Sequence, residues 1–410
     1  MKEQSNPVLT IPPILQPGHV HLDYLEGIRG LAALYVVLFH IVNQIRLQPA
    51  WSEVALPVIY ATRVLLFGHF AVAVFITLSG YCLMLPVVRS RDGRLRGGFF
   101  DYLKRRSRRL LPPYYAALVL SLVLIALIAT LEQFTDFVWW GLPHFPRQVT
   151  RDSLLSHLLL LHNLSPDWSH AINAPMWSLA IEWQIYFIFP LLLLPVWRRF
   201  GIVAAVILAF CIGFGPHFLL DGYLDWASPW YLGLFALGMA GAVIGFSTEP
   251  HVLHWRGRIA WGTLCTALCA FCIGVGILFA SQPGWGTGKL WIVFDPLIGV
   301  TTTCLLVYCS SCLGGTGVTA PPVVRFLQSR WTVALGRWSY SLYLTHILVI
   351  SLVHQFLIHM GLAATQRLLL LLVAGVPLSL LFAYIFFLVF EQPFMTGQPR
   401  RREVAGYRLN

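Results

Sequence analysis

Apolar residues in this chain come in long runs rather than in alternation with polar ones. Stretches such as Leu118–Leu131, Ile202–Leu220, Trp291–Leu306 and Leu368–Phe390 carry almost no charge. They approach or exceed the roughly 20 residues that take a helix across the hydrocarbon of a bilayer. Read along its length, the pattern predicts spans near 25–45, 66–88, 111–131, 176–196, 201–220, 228–246, 259–280, 290–312, 338–358 and 367–390. The expected fold is an all-α integral membrane protein, a polytopic, multi-pass bundle of about ten transmembrane helices. Composition agrees: residues are 57% hydrophobic and 11% charged, with mean hydropathy +0.71, whereas soluble domains carry about 25% charged residues.

The first span follows a proline-rich stretch with neither a strongly basic start nor a small-residue cleavage site. It is therefore expected to remain in the chain as an uncleaved span. The formal net charge of +11 could suggest nucleic acid as a partner, but its distribution excludes that reading. The basic residues concentrate in Arg89–Arg109, Arg198–Arg199, Arg256–Arg258, Arg325–Arg337 and Arg400–Arg408. Only Arg46, Arg63, Arg147, Arg151, Lys289 and Arg367 fall in the intervening loops. That asymmetry follows the positive-inside rule for an even number of spans and places both termini in the cytoplasm. The expected organisation is a cytoplasmic N-terminal segment 1–22, one membrane domain 23–393 and a cytoplasmic tail 394–410.

Three linkers are long. The basic one, Arg89–Arg109, is expected in the cytoplasm, and Glu132–Ala174 outside, with Leu154–Leu161 re-entrant or interfacial because it is too short to span. The third, Leu313–Arg337, is expected in the cytoplasm, with Val323, Val324, Phe326, Leu327 and Trp331 on a short interfacial helix. Two C-x-x-C pairs, Cys269 with Cys272 and Cys309 with Cys312, have a spacing that ligates zinc in polar loops. Because the first pair lies inside an apolar helix, these cysteines read as packing residues, and no metal site is expected.

Candidate chemistry rests on polar groups inside the apolar runs, since an ionisable side chain at mid-bilayer costs about 2.5–3.5 kcal/mol on insertion scales and usually faces a cavity. Arg29 and His40 are eleven positions apart, which on an α-helix is about three turns and roughly 16 Å of rise on one face. Arg106 and Arg109 follow three apart in a cationic cluster, and share a face suited to clamping phosphates if the helix begins early. Glu182 and Tyr186 stand one turn apart among aromatics. Ser339, Tyr343 and His346 form a polar stripe at helical spacing, and Glu391 closes the last span.

In order, these segments resemble the acyltransferase 3 family of membrane-bound O-acyltransferases over nearly the whole chain, Leu22 to Pro393. Arg29 to His40 is similar to the family's arginine–histidine motif, and Val74–Gly80 to its F-F-x-L-S-G segment. Arg106, Arg109 and Pro112 match its paired arginines before a proline. Trp177–Glu182 matches W-S-L-x-x-E, Ser339–His346 matches S-Y-S-L-Y-L-x-H, and Glu391–Pro393 matches E-x-P. The opening departs from the usual D-G-L-R-G: here Asp23-Tyr24-Leu25-Glu26-Gly27-Ile28-Arg29-Gly30 inserts extra residues before the glycine. No appended esterase-like domain is expected, so the membrane domain would act alone or with a partner.

The resemblance implies a cytoplasmic acyl-CoA donor, usually acetyl-CoA, with no permanently bound cofactor, and a carbohydrate or glycosylated acceptor reached from the lipid bilayer of the plasma (inner) membrane. Assembly into a homo-oligomer is compatible with it. In the mechanism expected here, Arg106, Arg109 and Arg29 hold the nucleotide phosphates, because guanidinium forks match phosphate geometry. His40 acts as general base or transient acyl carrier. Glu182 orients or charge-balances an imidazole, and Ser339, Tyr343 and His346 hydrogen-bond donor or acceptor. The alternative of another class is a proton-coupled or solute transporter, since buried Arg, His and Glu also mark ion pathways. Such transporters commonly carry paired repeats with broken helices, which this sequence does not display.

Overall fold

The structure is a computed structural model describing residues 22–90, 92–139, 149–279, 291–314 and 320–395. The expected N-terminal segment, most of the tail, and the loop positions Arg147 and Lys289 lie outside those residues. Among the described residues the chain is all helical. Eight helices are long and apolar enough to cross a membrane, nine if a bent pair, Pro250–Arg258 with Trp261–Ile277, counts as one span. The protein is a multi-pass membrane protein.

The elements that build the site are α1 (Asp23–Arg46), α2 (Gly68–Val88), α3 (Gly98–Phe134), α4 (Arg151–Leu158), α5 (Trp177–Ile188), α6 (Leu194–Leu219), α7 (Tyr231–Phe246), α8 (Trp291–Ser311), α9 (Pro322–Leu327), α10 (Arg330–Arg337) and α11 (Ser339–His359). The chain then runs on through Ala364–Leu370 and Val376–Phe386 to Glu391. Two expectations are refined. The basic linker is mostly helix: Gly97 and Gly98 turn the chain with φ of 77° and 76°, and the arginine- and leucine-rich sequence after them propagates α3 from Gly98. Arg106 and Arg109 are thus on a helix. The half-length apolar piece begins as α4, which Thr150 caps through Ser153 N, and the chain turns back at Leu160 (φ 53°).

Helix packing at the heart of the bundle depends on backbones that approach closely, as small residues permit in membranes. On α2 and α7, a Cβ on Gly80 would lie 2.0 Å from Phe235 O, and one on Gly238 1.9 Å from Thr77 O. The Arg29 end of α1 is pinned in the same way: a Cβ on Gly27 would lie 1.9 Å from Leu327 O on α9, and one on Gly336 of α10 2.0 Å from Glu26 O. The short helices α9 and α10 do leave Val323, Phe326 and Trp331 exposed, as an interfacial position requires. Their inner faces clamp α1.

Candidate active site

Two cavities open along α1. The first, of about 440 Å³, lies at the Arg29 end and is lined by Arg29, Arg106, Arg109, Ser79, Cys82, Glu182, Tyr186, Ser339 and Tyr343 among others. The second, of about 540 Å³, lies at the other end and is lined by His40, Asn43, Arg46, His69, His170, Trp177, Trp226 and Trp291. Val72 and Tyr343 line both. These two side chains are where the chambers meet.

The first cavity is polar and cationic. Arg29 donates to Glu26 Oε1 at 2.8 Å and to Cys82 Sγ at 3.0 Å, which fixes its guanidinium against α2. Arg106 is half-buried, and its Nε is buried with no hydrogen-bond partner among the described residues. Arg105, one position earlier, turns away and donates to Arg96 O at 2.7 Å. Glu182 is the carboxylate of the cavity wall: its Oε1 accepts from Ser79 Oγ at 2.8 Å and from Tyr186 Oη at 2.7 Å. The i, i+4 spacing of Glu182 and Tyr186 accounts for the second bond.

At the junction, Tyr343 is held by two bonds. Its hydroxyl donates to Pro175 O at 2.9 Å and accepts from Ser178 Oγ at 2.7 Å. Ser339 donates to Gly336 O at 2.8 Å and still faces the first cavity. Glu391 does not line either chamber. Its buried carboxylate accepts from Ser341 N at 3.1 Å and from Ser341 Oγ at 2.5 Å, capping the first turn of α11 from outside, where N–H groups lack intrahelical partners. It sets the stripe of Ser339, Tyr343 and His346.

His40 and His346 are in direct contact, with His40 Nδ1 3.1 Å from His346 Nε2 and ring centroids 4.9 Å apart. The hydrogen-bond network assigns their tautomers. His346 Nδ1 lies 3.0 Å from Leu342 O, so it must carry the proton and leave Nε2 as an acceptor. His40 Nδ1 lies 2.9 Å from Val36 O and therefore donates, to that carbonyl and to His346 Nε2. In the neutral pair, His40 Nε2 is then the nitrogen without a proton. In that tautomer the His40 ring offers a hydrogen-bond-accepting nitrogen at Nε2.

The structure thus brings Arg29, Arg106, Arg109, Glu182, Ser339 and Tyr343 to one cavity and His40 to the next, with His346 lining neither and touching the His40 ring from behind. Glu182 sits in the cavity without His40, and His346 is in contact with the His40 imidazole. Sequence reading also passed over Ser79 and Cys82, which hold Glu182 and Arg29, and over His69 with Asp295. Asp295 is a carboxylate within an apolar run, the same signal that marks Glu182. His69 has no such signal until the fold sets it beside Asp295, 226 positions away.

Comparisons with known proteins identify relatives of the whole membrane domain. The chain is similar to acyltransferase MdmB of Streptomyces mycarofaciens, 26% identical over 95% of this chain and 96% of that one. It is also similar to the putative peptidoglycan O-acetyltransferase YrhL of Bacillus subtilis, 26% identical over 82% of this chain and 49% of the relative. O-acetyltransferase OatA of Staphylococcus aureus is 22% identical over 82% of this chain and 52% of its own. This chain therefore spans about half the length of the last two. No solved structure matches. The acyltransferase domain of the acyltransferase 3 family matches residues 22–388, and the chain belongs to that family of membrane acyltransferases.

Proposed function

We propose that this protein is an acyl-CoA-dependent O-acyltransferase of the plasma membrane, most simply an O-acetyltransferase, acting on a hydroxyl of a carbohydrate or sugar-bearing acceptor. The observation that carries the reading is the junction of the two chambers: three guanidinium groups line one, and an imidazole protonated at Nδ1 rather than Nε2 lines the other. Arg29, Arg106 and Arg109 take the phosphates of the donor through their guanidinium N–H groups. The thioester passes Val72 and Tyr343 to reach His40. His40 Nε2 removes the acceptor's proton as the oxygen attacks the thioester carbonyl, and the coenzyme A thiolate leaves. His346 steadies the imidazolium through the Nδ1–H bond. Tyr343 and Ser339 line the path of the acyl arm.

The same reading makes the transporter alternative unnecessary, and it sets the membrane orientation. On a ten-span reading, the arginine cavity would face the cytoplasm and both termini would lie inside. The 46-residue element Ala174–Leu219 contains a non-helical Gly201 (φ 86°), and at 1.5 Å per residue a straight helix of that length would be about twice the hydrocarbon thickness. Two spans joined at Gly201 fit. A reporter fused at Gly97 should read as cytoplasmic and one at Asp136 as external; the reverse would overturn the orientation.

The donor assignment is tested by equilibrium binding of acetyl-CoA to the purified protein in lipid nanodiscs. Arg106→Ala and Arg109→Ala should each weaken binding, by roughly tenfold for loss of one charge-assisted bond of about 1.5 kcal/mol. Lysine at either position should restore it in part, because it keeps the charge and loses the planar fork. Unchanged affinity in both alanine variants would refute the clamp.

A further inference from the structure

The second chamber holds a second histidine whose environment is as built as that of His40. His69 is in the first turn of α2, and its Nε2 lies 2.9 Å from Asp295 Oδ2 on α8 and 3.0 Å from Tyr231 Oη on α7. Asp295 is fully buried, and its Oδ2 also accepts from Trp230 Nε1 at 2.8 Å. The imidazole is stacked on Trp291 at 4.0 Å and 12°, and Trp177 lies parallel to it at 5.8 Å and 6°. Three neighbouring elements, α5, α7 and α8, thus fix one ring in orientation and tautomer.

The tautomer follows from the carboxyl group. Asp295 Oδ2 already accepts from Trp230 Nε1, and His69 Nε2, 2.9 Å from the same oxygen, is assigned the proton as its second donor. Both hydrogen bonds of the ring are at Nε2, and Nδ1 has none among the described residues. His69 lines the second chamber together with His40. The chamber is aromatic on its walls, with few polar groups, which is the composition of a small-molecule site that fixes orientation with a handful of hydrogen bonds. A bare, oriented imidazole nitrogen in such a wall accepts a hydrogen bond from a hydroxyl.

We propose that His69, held by Asp295, is a positioning residue for the acceptor: its Nδ1 binds a second hydroxyl of a pyranoside whose reacting hydroxyl faces His40. The proposal rests on the acyltransferase reading above, because it takes the second chamber as the acceptor's. It assigns selectivity for polyhydroxylated rings over simple alcohols to this dyad, with tryptophan faces packing against the C–H face of the ring. The competing role for His69 is to tie α2 to α7 and α8 through Asp295. The two roles use different nitrogens.

That difference gives the test. His69→Gln places an amide N–H near the position of Nε2 and keeps the bond to Asp295, but offers nothing in place of Nδ1. Binding is measured by saturation-transfer NMR on the full chain in nanodiscs, with methyl α-D-glucopyranoside as probe and cyclohexanol as the ring lacking a second hydroxyl. Wild type should saturate the pyranoside. His69→Gln should lower that signal at least threefold, leave cyclohexanol unchanged, and leave both melting temperature and acetyl-CoA affinity at wild-type values. An undiminished pyranoside signal in His69→Gln, or no pyranoside signal in wild type, would overturn the proposal. Acetyl-CoA affinity measured on the same samples keeps the two ideas apart: absent donor binding in wild type would sink the acyltransferase reading, whatever the sugar does.

Discussion

His346→Phe isolates the contribution of one hydrogen bond to catalysis. The wild-type contact runs from His40 Nδ1–H to His346 Nε2 over 3.1 Å, and the same N–H is also 2.9 Å from Val36 O. Phenylalanine fills the fully buried site of His346 with a ring of similar shape and leaves the Val36 bond in place. The imidazole keeps its tautomer and loses one of two acceptors. As His40 takes a proton and becomes charged, the lost bond belongs to the stronger class, worth about 1.5–3 kcal/mol. At about 1.4 kcal/mol per tenfold, kcat should fall roughly 10- to 150-fold. The KM for acetyl-CoA should hold, because His346 lines neither cavity. His346→Gln, whose amide can still accept from Nδ1–H, should recover most of the loss. The assay follows label from radioactive acetyl-CoA into membrane glycans at equal protein level. A His346→Phe enzyme working within threefold of wild type would refute the pairing, as would a Gln variant no better than Phe.

Two further predictions address the scaffold. Gly27→Ala adds a Cβ 1.9 Å from Leu327 O, where ordinary contact begins at 3.4 Å, so α1 and α9 must part by about 1.5 Å at a cost of roughly 1–3 kcal/mol. The melting temperature and acetyl-CoA affinity should drop together, while Gly257→Ala, with nothing within 4 Å, should change neither; a wild-type Gly27→Ala would show that this clamp does not set Arg29. Acid should loosen the segment after α4. Burial holds His157 down to about 4 and His162 down to about 3, against about 6.5 in the unfolded chain. Between those limits the unfolded state binds more protons, so stability is complete above about pH 6.5 and is lost as pH falls towards 4. Melting at pH 7 and pH 5 should show this loss. It should shrink in the double variant His157→Asn and His162→Gln, which keeps the N–H groups that donate to Ser153 O and Met176 O; an equal loss in that variant would contradict the assignment.

Much of this was visible in the sequence because bilayer physics leaves few options for an apolar run. The long runs became helices near their expected bounds, and Arg29 and His40, eleven positions apart, lie on the single helix α1. What the sequence could not supply was the pairing between elements. Glu182 met Ser79 and Tyr186 rather than an imidazole, since helix rotation about α5 is fixed by packing and not by spacing. His346 was legible as part of a stripe with Ser339 and Tyr343, yet its contact with His40 spans 306 positions. The basic linker concealed the start of α3 because a charged helix end and a charged loop have the same composition. Asp295 stood in plain view as a carboxylate in an apolar run, and only the fold gave it His69.

The central claim is that a donor held at the arginines delivers its acyl group past Tyr343 to a hydroxyl activated by His40. The most direct test is His40→Gln in membranes, with acetyl-CoA binding and acetyl transfer measured on the same preparation. Glutamine keeps hydrogen-bonding capacity and cannot shuttle a proton, and general acid–base groups contribute typically 10²–10⁴-fold. The account predicts wild-type acetyl-CoA affinity with transfer reduced at least a hundredfold. Near-normal transfer by His40→Gln at equal protein level would contradict it.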